Sequence, residues 1–194
     1  VFEIGCSSGG VIYPFLTLGK VVGGCDYDAD YIQYGIEKGL NLYQGRLDDK
    51  KVPDNSLDLL ILEHVLEHFL DPLTELEAII AKVKPSKYLL IEIPSMMNLA
   101  QSYKNPIKYF QNAHTFCFFK KYLEAIFSHF GLIIIYSDEI ATCILQKPIN
   151  WEPPRCQFAS NSELKAYTAT VEAYLKFSFL RWNSENGISS QVQK

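Results

Sequence analysis

The chain has 194 residues, is 48% hydrophobic and 13% aromatic, and carries a formal net charge of −4, enough apolar material for one substantial core and not for two full domains. Its basic residues do not cluster beyond pairs such as Lys50-Lys51 and Lys120-Lys121, so the sequence excludes a nucleic-acid footprint and an anionic-membrane footprint. Five scattered cysteines (Cys6, Cys25, Cys117, Cys143 and Cys156) without a C-x-x-C pair point to a reduced, cytoplasmic setting.

Strand-like and helix-like stretches alternate along the chain. Val1 to Ile4 reads as a strand, followed by the glycine-rich turn GCSSGG and a first helix over Val11 to Leu18, where Pro14 is tolerated near the first turn. Because the chain opens inside a strand, a further segment is expected ahead of Val1. Val21 to Cys25 is a second strand ending at Asp26. Ala29 to Lys38 has a helical period, with Tyr31, Ile32, Tyr34 and Ile36 available for a core face and Gly39 as its stop.

Leu42 to Gln44 forms a brief third strand, and LDLLIL over Leu57 to Leu62 is the continuous apolar run of a strand buried on both faces. Asp71-Pro72 starts a helix, with Leu73, Leu76, Ile80 and Val83 as its stripe and Lys84-Pro85-Ser86 as its stop. Tyr88 to Ile93 is the fifth strand. After an irregular stretch from Ser95 to Phe118 come a helix from Lys120 to Phe130 and two strands, Leu132 to Tyr136 and Ile140 to Leu145, joined by a tight turn. Trp151 to Ser160 reads as a linker. Ser162 to Trp182 is an amphipathic helix, with Leu164, Tyr167, Val171, Tyr174 and Leu175 on the side available for core or for a homodimer surface, before a polar tail. The expected fold is therefore α/β: a doubly wound, mostly parallel seven-stranded sheet with an antiparallel last strand. Residues 1–150 would form the ligand-binding domain, with 95–118 as a lid, and 151–194 the linker, C-terminal helix and tail.

Ligands of such sheets bind beyond the carboxyl ends of the strands. The glycine turn lets backbone amides approach a ligand, and Asp26, about twenty residues on at the end of the second strand, is placed to accept hydrogen bonds from ribose hydroxyls. A nicotinamide dinucleotide would favour G-x-G-x-x-G, whereas here Ser7 replaces the middle glycine. His64-Val65-Leu66-Glu67-His68 spells H-x-x-E-H, a zinc-peptidase pattern when it lies on a helix; it starts at the end of a buried strand, so no metal is expected there.

VFEIGCSSGG, GGCDYDADYIQYGIEKGL and DNSLDLLILEHVLEHFLDPLTELEAIIAKVKPSKYLLIEIPS, in this order, resemble a class I S-adenosylmethionine-dependent methyltransferase of the group acting on small molecules and glycans, from Val1 to about Gln146. Ser7 and Ser8 depart from the more usual E-x-G-C-G-x-G loop. The resemblance implies S-adenosylmethionine as cofactor, S-adenosylhomocysteine as product, a Rossmann-like fold and a small-molecule or glycan acceptor. It also implies that Glu3 supports the loop and the methionine amino group, that Gly5, Cys6, Ser7 and Gly9 line methionine and ribose, and that Asp26 holds the ribose hydroxyls. Tyr27 would flank the adenine, Leu47 and Asp48 would meet its edge at the end of the third strand, and Glu63 would lie under the sulfonium.

His114, in NAHTFCFF, follows the fifth strand and is a candidate catalytic residue, as is His68 at the cleft rim. Tyr103 and Tyr109 read as lid packing, and Phe116, Phe118 and Phe119 as core. Two other functions fit the same sheet: a nicotinamide-dependent oxidoreductase, and a non-catalytic cofactor-binding domain of a larger assembly.

Overall fold

A computed structural model describes residues 1–98, 114–139, 141–155 and 162–185. Tyr103, Tyr109, Cys156, most of the expected lid and the polar tail lie outside these residues. Seven strands form one sheet: β1 (Phe2–Ile4), β2 (Gly23–Asp26), β3 (Asn41–Gln44), β4 (Leu57–Glu63), β5 (Val83–Glu92), β6 (Ile133–Ser137) and β7 (Thr142–Gln146). Their order is β3-β2-β1-β4-β5-β7-β6; the first five run parallel, and β7 is antiparallel to both β5 and β6. Strand order reverses between β1 and β4, so the crevice beyond Ile4 and Glu63 is where a ligand site belongs.

The helices are α1 (Tyr13–Thr17), α2 (Ala29–Glu37), α3 (Pro72–Lys82), α4 (Lys120–His129) and α5 (Ser162–Glu185). Two of them start on aspartates. Asp28 accepts hydrogen bonds from the amides of Asp30 and Tyr31 at 3.0 and 3.1 Å, and Asp71 accepts from the amide and hydroxyl of Thr74 at 3.2 and 2.7 Å. One core joins Leu60, Leu62, Leu76, Ile80, Leu89, Ile91 and Phe127; a second, on the other face of the sheet, joins Ile12, Val22, Ile32, Leu42 and Ile61. No described helix is long and apolar enough to cross a membrane.

Three readings of the sequence need correction. In α2 only Ile32 and Gly35 are buried, while Tyr31, Tyr34 and Ile36 are exposed. A β-carbon on Gly35 would stand 2.6 Å from the Ser8 carbonyl oxygen and 2.4 Å from Leu42 Cδ1, so the helix meets the loop and β3 along its smallest residue and turns the tyrosines outward. Lys84-Pro85-Ser86 does not stand as a spacer after α3, because β5 begins at Val83. Val83 pairs with Leu57 and Tyr88 with Leu59, and the tripeptide forms the irregularity between them, with Ser86 at φ +61°. Phe118 and Phe119 are buried, but Phe116 is exposed and belongs to a surface hollow described below.

Candidate functional site

The turn after β1 depends on left-handed backbone at Gly5 (φ +71°), Ser7 (φ +48°) and Gly9 (φ +81°). A β-carbon on Gly5 would lie 2.4 Å from Val65 Cγ2, so only glycine lets the ends of β1 and β4 come this close. The amides of Gly5 and Cys6 both donate to the Cys25 carbonyl, at 2.8 and 3.1 Å. The amide of Ser7 donates to Asp26 Oδ2 at 2.8 Å, and the amide of Asp28 to Asp26 Oδ1 at 2.9 Å. Asp26 therefore fixes the loop while each of its oxygens keeps capacity for another donor.

Glu3, the middle residue of β1, is only 2% exposed, and its Oε2 has no hydrogen-bond partner among the described residues. Burial first, then the carboxylates of Glu63 and Asp26, push its pKa up to about 8. A cationic ligand beside such a carboxyl would favour its ionised form, the proton leaving to solvent. Burial also pushes the Cys6 and Cys25 thiols up to about 12 and 11, which removes them as nucleophiles; the Cys6 side chain packs with Ile12, Val22 and Leu42.

A cleft of about 640 Å³ opens at the switch point. Ile4 at the end of β1 with Gly5 after it, Asp26 at the end of β2 with Tyr27 after it, Gly45 to Leu47 after β3, and His64, Val65 and His68 after β4 line it. Tyr27, 73% exposed, stands at the mouth. Of the residues singled out in the sequence, Gly5, Asp26, Tyr27, Leu47 and His68 thus surround one space, while Glu3, Cys6, Ser7, Gly9 and Glu63 lie around the adjoining strand ends. Asp48 does not line it: β3 ends at Gln44, and Asp48 Oδ1 accepts the amide of Lys50 at 2.9 Å.

The sequence reading assigned no site role to Val65 or to the Arg46–Glu75 ion pair on the wall (2.6 Å), and it read Glu67 only as the acid of the H-x-x-E-H spelling, not as a buried group. Gly45, at φ +118° directly after β3, is the sequence signal that could have marked the Arg46 turn.

The H-x-x-E-H stretch is not a helix. His64 has φ +54°, its amide donates to the Glu92 carbonyl at 2.9 Å, and only Leu66–His68 form a short 3-10 turn. The Glu67 carboxylate, 3.7 Å from His64 Nδ1, raises the His64 pKa against the opposing effect of burial. The Phe116 amide donates to the Glu67 carbonyl at 3.1 Å and ties the 114–119 segment to this turn. As a result the rings of His68 and His114 lie 5.2 Å apart at an interplanar angle of 55°.

A family model described as a methyltransferase domain matches residues 1–137. No curated protein matches the chain. Among solved structures, an S-adenosylmethionine-dependent methyltransferase from Archaeoglobus fulgidus is 22% identical over 89% of this chain and 77% of its own, with a TM-score of 0.55. A Haloferax volcanii protein solved in complex with a methyltransferase activator is 15% identical over 81% of this chain and 83% of its own, with a TM-score of 0.61. The chain spans about half (48%) of an S-adenosylmethionine-dependent methyltransferase from Mesorhizobium loti, which matches 51% of this chain at 17% identity and a TM-score of 0.46.

Proposed function

The chain belongs to the methyltransferase-domain family, as a class I S-adenosylmethionine-dependent enzyme, and from that premise we propose that it methylates a small-molecule or sugar acceptor at the mouth of the β1/β4 cleft. The observation that carries the reading is the buried, unpartnered Oε2 of Glu3 beside a glycine turn held by Asp26. This arrangement suits a cationic amino acid joined to a ribose. Gly5, Cys6, Ser7 and Gly9 would hold the methionine and ribose, Asp26 the ribose hydroxyls, Tyr27 and Leu47 the adenine, and Glu3 and Glu63 the positive charge.

When bound, the cofactor supplies an electron-poor methyl group on a sulfonium. The protein's contribution is alignment and exclusion of water, to which Val65 packed over Gly5 and Leu47 on the opposite wall contribute. His68 and His114 act on the acceptor, orienting it and easing removal of a hydroxyl proton where the nucleophile is an oxygen. An apolar hollow of about 400 Å³, lined by Phe116, Phe118, Phe119 and Tyr122 and sharing Leu70 and Asp71 with the cleft, supports an acceptor with an apolar or ring face. The buried thiols of Cys6, Cys25 and Cys143 support a cytoplasmic setting.

The test is a mass-spectrometric search of metabolite and glycan extracts for products carrying an isotope-labelled methyl group. A labelled product that forms only with active protein supports the reading, and a protein that binds S-adenosylhomocysteine yet labels nothing supports a non-catalytic domain instead. With an acceptor in hand, His114→Ala should lower the rate by roughly 10²–10⁴-fold without altering cofactor affinity.

A further inference from the structure

Glu67 is a buried acid whose two carboxylate oxygens both lack a hydrogen-bond partner, and its side chain is 3% exposed. An ionised carboxylate in that state is costly unless a counter-charge reaches it. The neighbours that face it are imidazoles: His64 Nδ1 at 3.7 Å and His68 Nε2 at 3.8 Å from Oε1, both too long for hydrogen bonds. His114 completes the surroundings, since one donor atom each from Glu67, His68 and His114 lie within 4.8 Å of one another. Donors bound to a single ion at ~2.0–2.2 Å in tetrahedral geometry stand about 3.4 Å apart, so the three would close in on an ion by side-chain rotation.

We propose that Glu67, His68 and His114 bind one divalent transition-metal ion, with coordination positions left open toward the cleft that His68 lines. Two imidazoles and one carboxylate with open positions are the donor set of zinc and related first-row ions acting as Lewis acids. The three ligands come from the turn after β4 and the segment after β5, and the Phe116–Glu67 backbone hydrogen bond holds these two together whether or not an ion is bound. The site differs from the one the H-x-x-E-H spelling suggests, because the left-handed backbone at His64 turns that residue out of helical register. The sequence-based expectation of no metal concerned His64 and His68; the proposed triad keeps Glu67 and His68 from that spelling and replaces His64 by His114.

The inference rests on the methyltransferase reading for its role. An ion at this place would polarise an acceptor hydroxyl so that its proton leaves to water. The new O–C bond then forms as the C–S bond breaks, with the electron pair remaining on sulfur.

The experiment uses tag-free full-length protein, stripped with chelator and titrated with Zn²⁺ alone by calorimetry, with the visible spectrum of a Co²⁺ titration as a second readout. One ion per chain is expected. Glu67→Gln and His114→Ala should each weaken it by more than the roughly 10–100-fold that loss of an outer-sphere partner costs, while His64→Ala, which removes a neighbour of Glu67 and not a ligand, should cost no more than that. S-adenosylhomocysteine binding by each variant reports that it is folded, and His68→Asn replaces any variant that is not. Absence of saturable binding in the parent, or unchanged affinity in both ligand variants, overturns the proposal. Binding of Zn²⁺ without binding of S-adenosylhomocysteine would leave the ion site standing and remove the cofactor reading; the reverse result removes only the ion.

Discussion

Asp26 Oδ2 accepts the amide hydrogen of Ser7 at 2.8 Å, so the acid closing β2 braces the glycine turn that follows β1. One side chain thereby links loop geometry to the proposed contact with ribose. Asp26→Ala should lower S-adenosylhomocysteine affinity by roughly 100-fold or more, since charge-assisted hydrogen bonds to two hydroxyls are lost along with the loop brace. Asp26→Asn, which can still accept from Ser7, should fall in between. Calorimetry with both variants checks this; equal affinity in Asp26→Ala and parent removes the residue from the site.

Glu3 gives the fold a pH signature. Its pKa is raised from 4.5 to about 8 by burial and by Glu63 and Asp26, so between these values the folded protein holds a proton that the unfolded chain does not. The stabilising contribution is complete below the lower value and is lost as pH rises through about 8. Melting temperature of the ligand-free protein should therefore decline across that window, and Glu3→Gln should flatten the decline. A parent and a variant with superimposable pH profiles would contradict the assignment.

The same group makes cofactor binding proton-linked. A cationic ligand at Glu3 favours its ionised form, so near neutral pH binding of S-adenosylhomocysteine should release up to one proton. Titrations in buffers of different ionisation enthalpy measure that proton, and Glu3→Gln should abolish its release.

Gly35→Ala should reverse the usual sign of a glycine-to-alanine change in a helix. Alanine ordinarily gains about 1 kcal/mol in such a position, but here the added carbon meets the Ser8 carbonyl at 2.6 Å, a backbone atom of the glycine turn. Thermal stability and cofactor affinity should fall together. Gly10→Ala, whose added carbon meets nothing within 4 Å, is the matched control and should leave stability nearly unchanged.

Much of this architecture was legible because its signals are local. The LDLLIL run, the Asp71 cap and the acid after β2 each follow from a few adjacent residues. What escaped the sequence reading depends on residues that meet only in three dimensions. Arg46 and Glu75 are 29 positions apart, and Glu67 finds His114 only because β4 and β5 end side by side. Tyr31 and Tyr34 looked like core because aromatics at helical spacing carry a strong hydrophobic signal, whereas Gly35, the actual contact, carries none. The early start of β5 was hidden by Pro85, which sits where the register slips and no ladder hydrogen bond is required of it.

The central claim is that the β1/β4 cleft takes S-adenosylmethionine, and direct calorimetric competition tests it. Titration with S-adenosylhomocysteine should give one saturable site per chain, displaced by S-adenosylmethionine, weakened in Asp26→Ala and unaffected by NAD⁺ or NADH. Saturable binding of a nicotinamide dinucleotide at the same site, with no heat from either sulfur-containing nucleoside, would contradict the account.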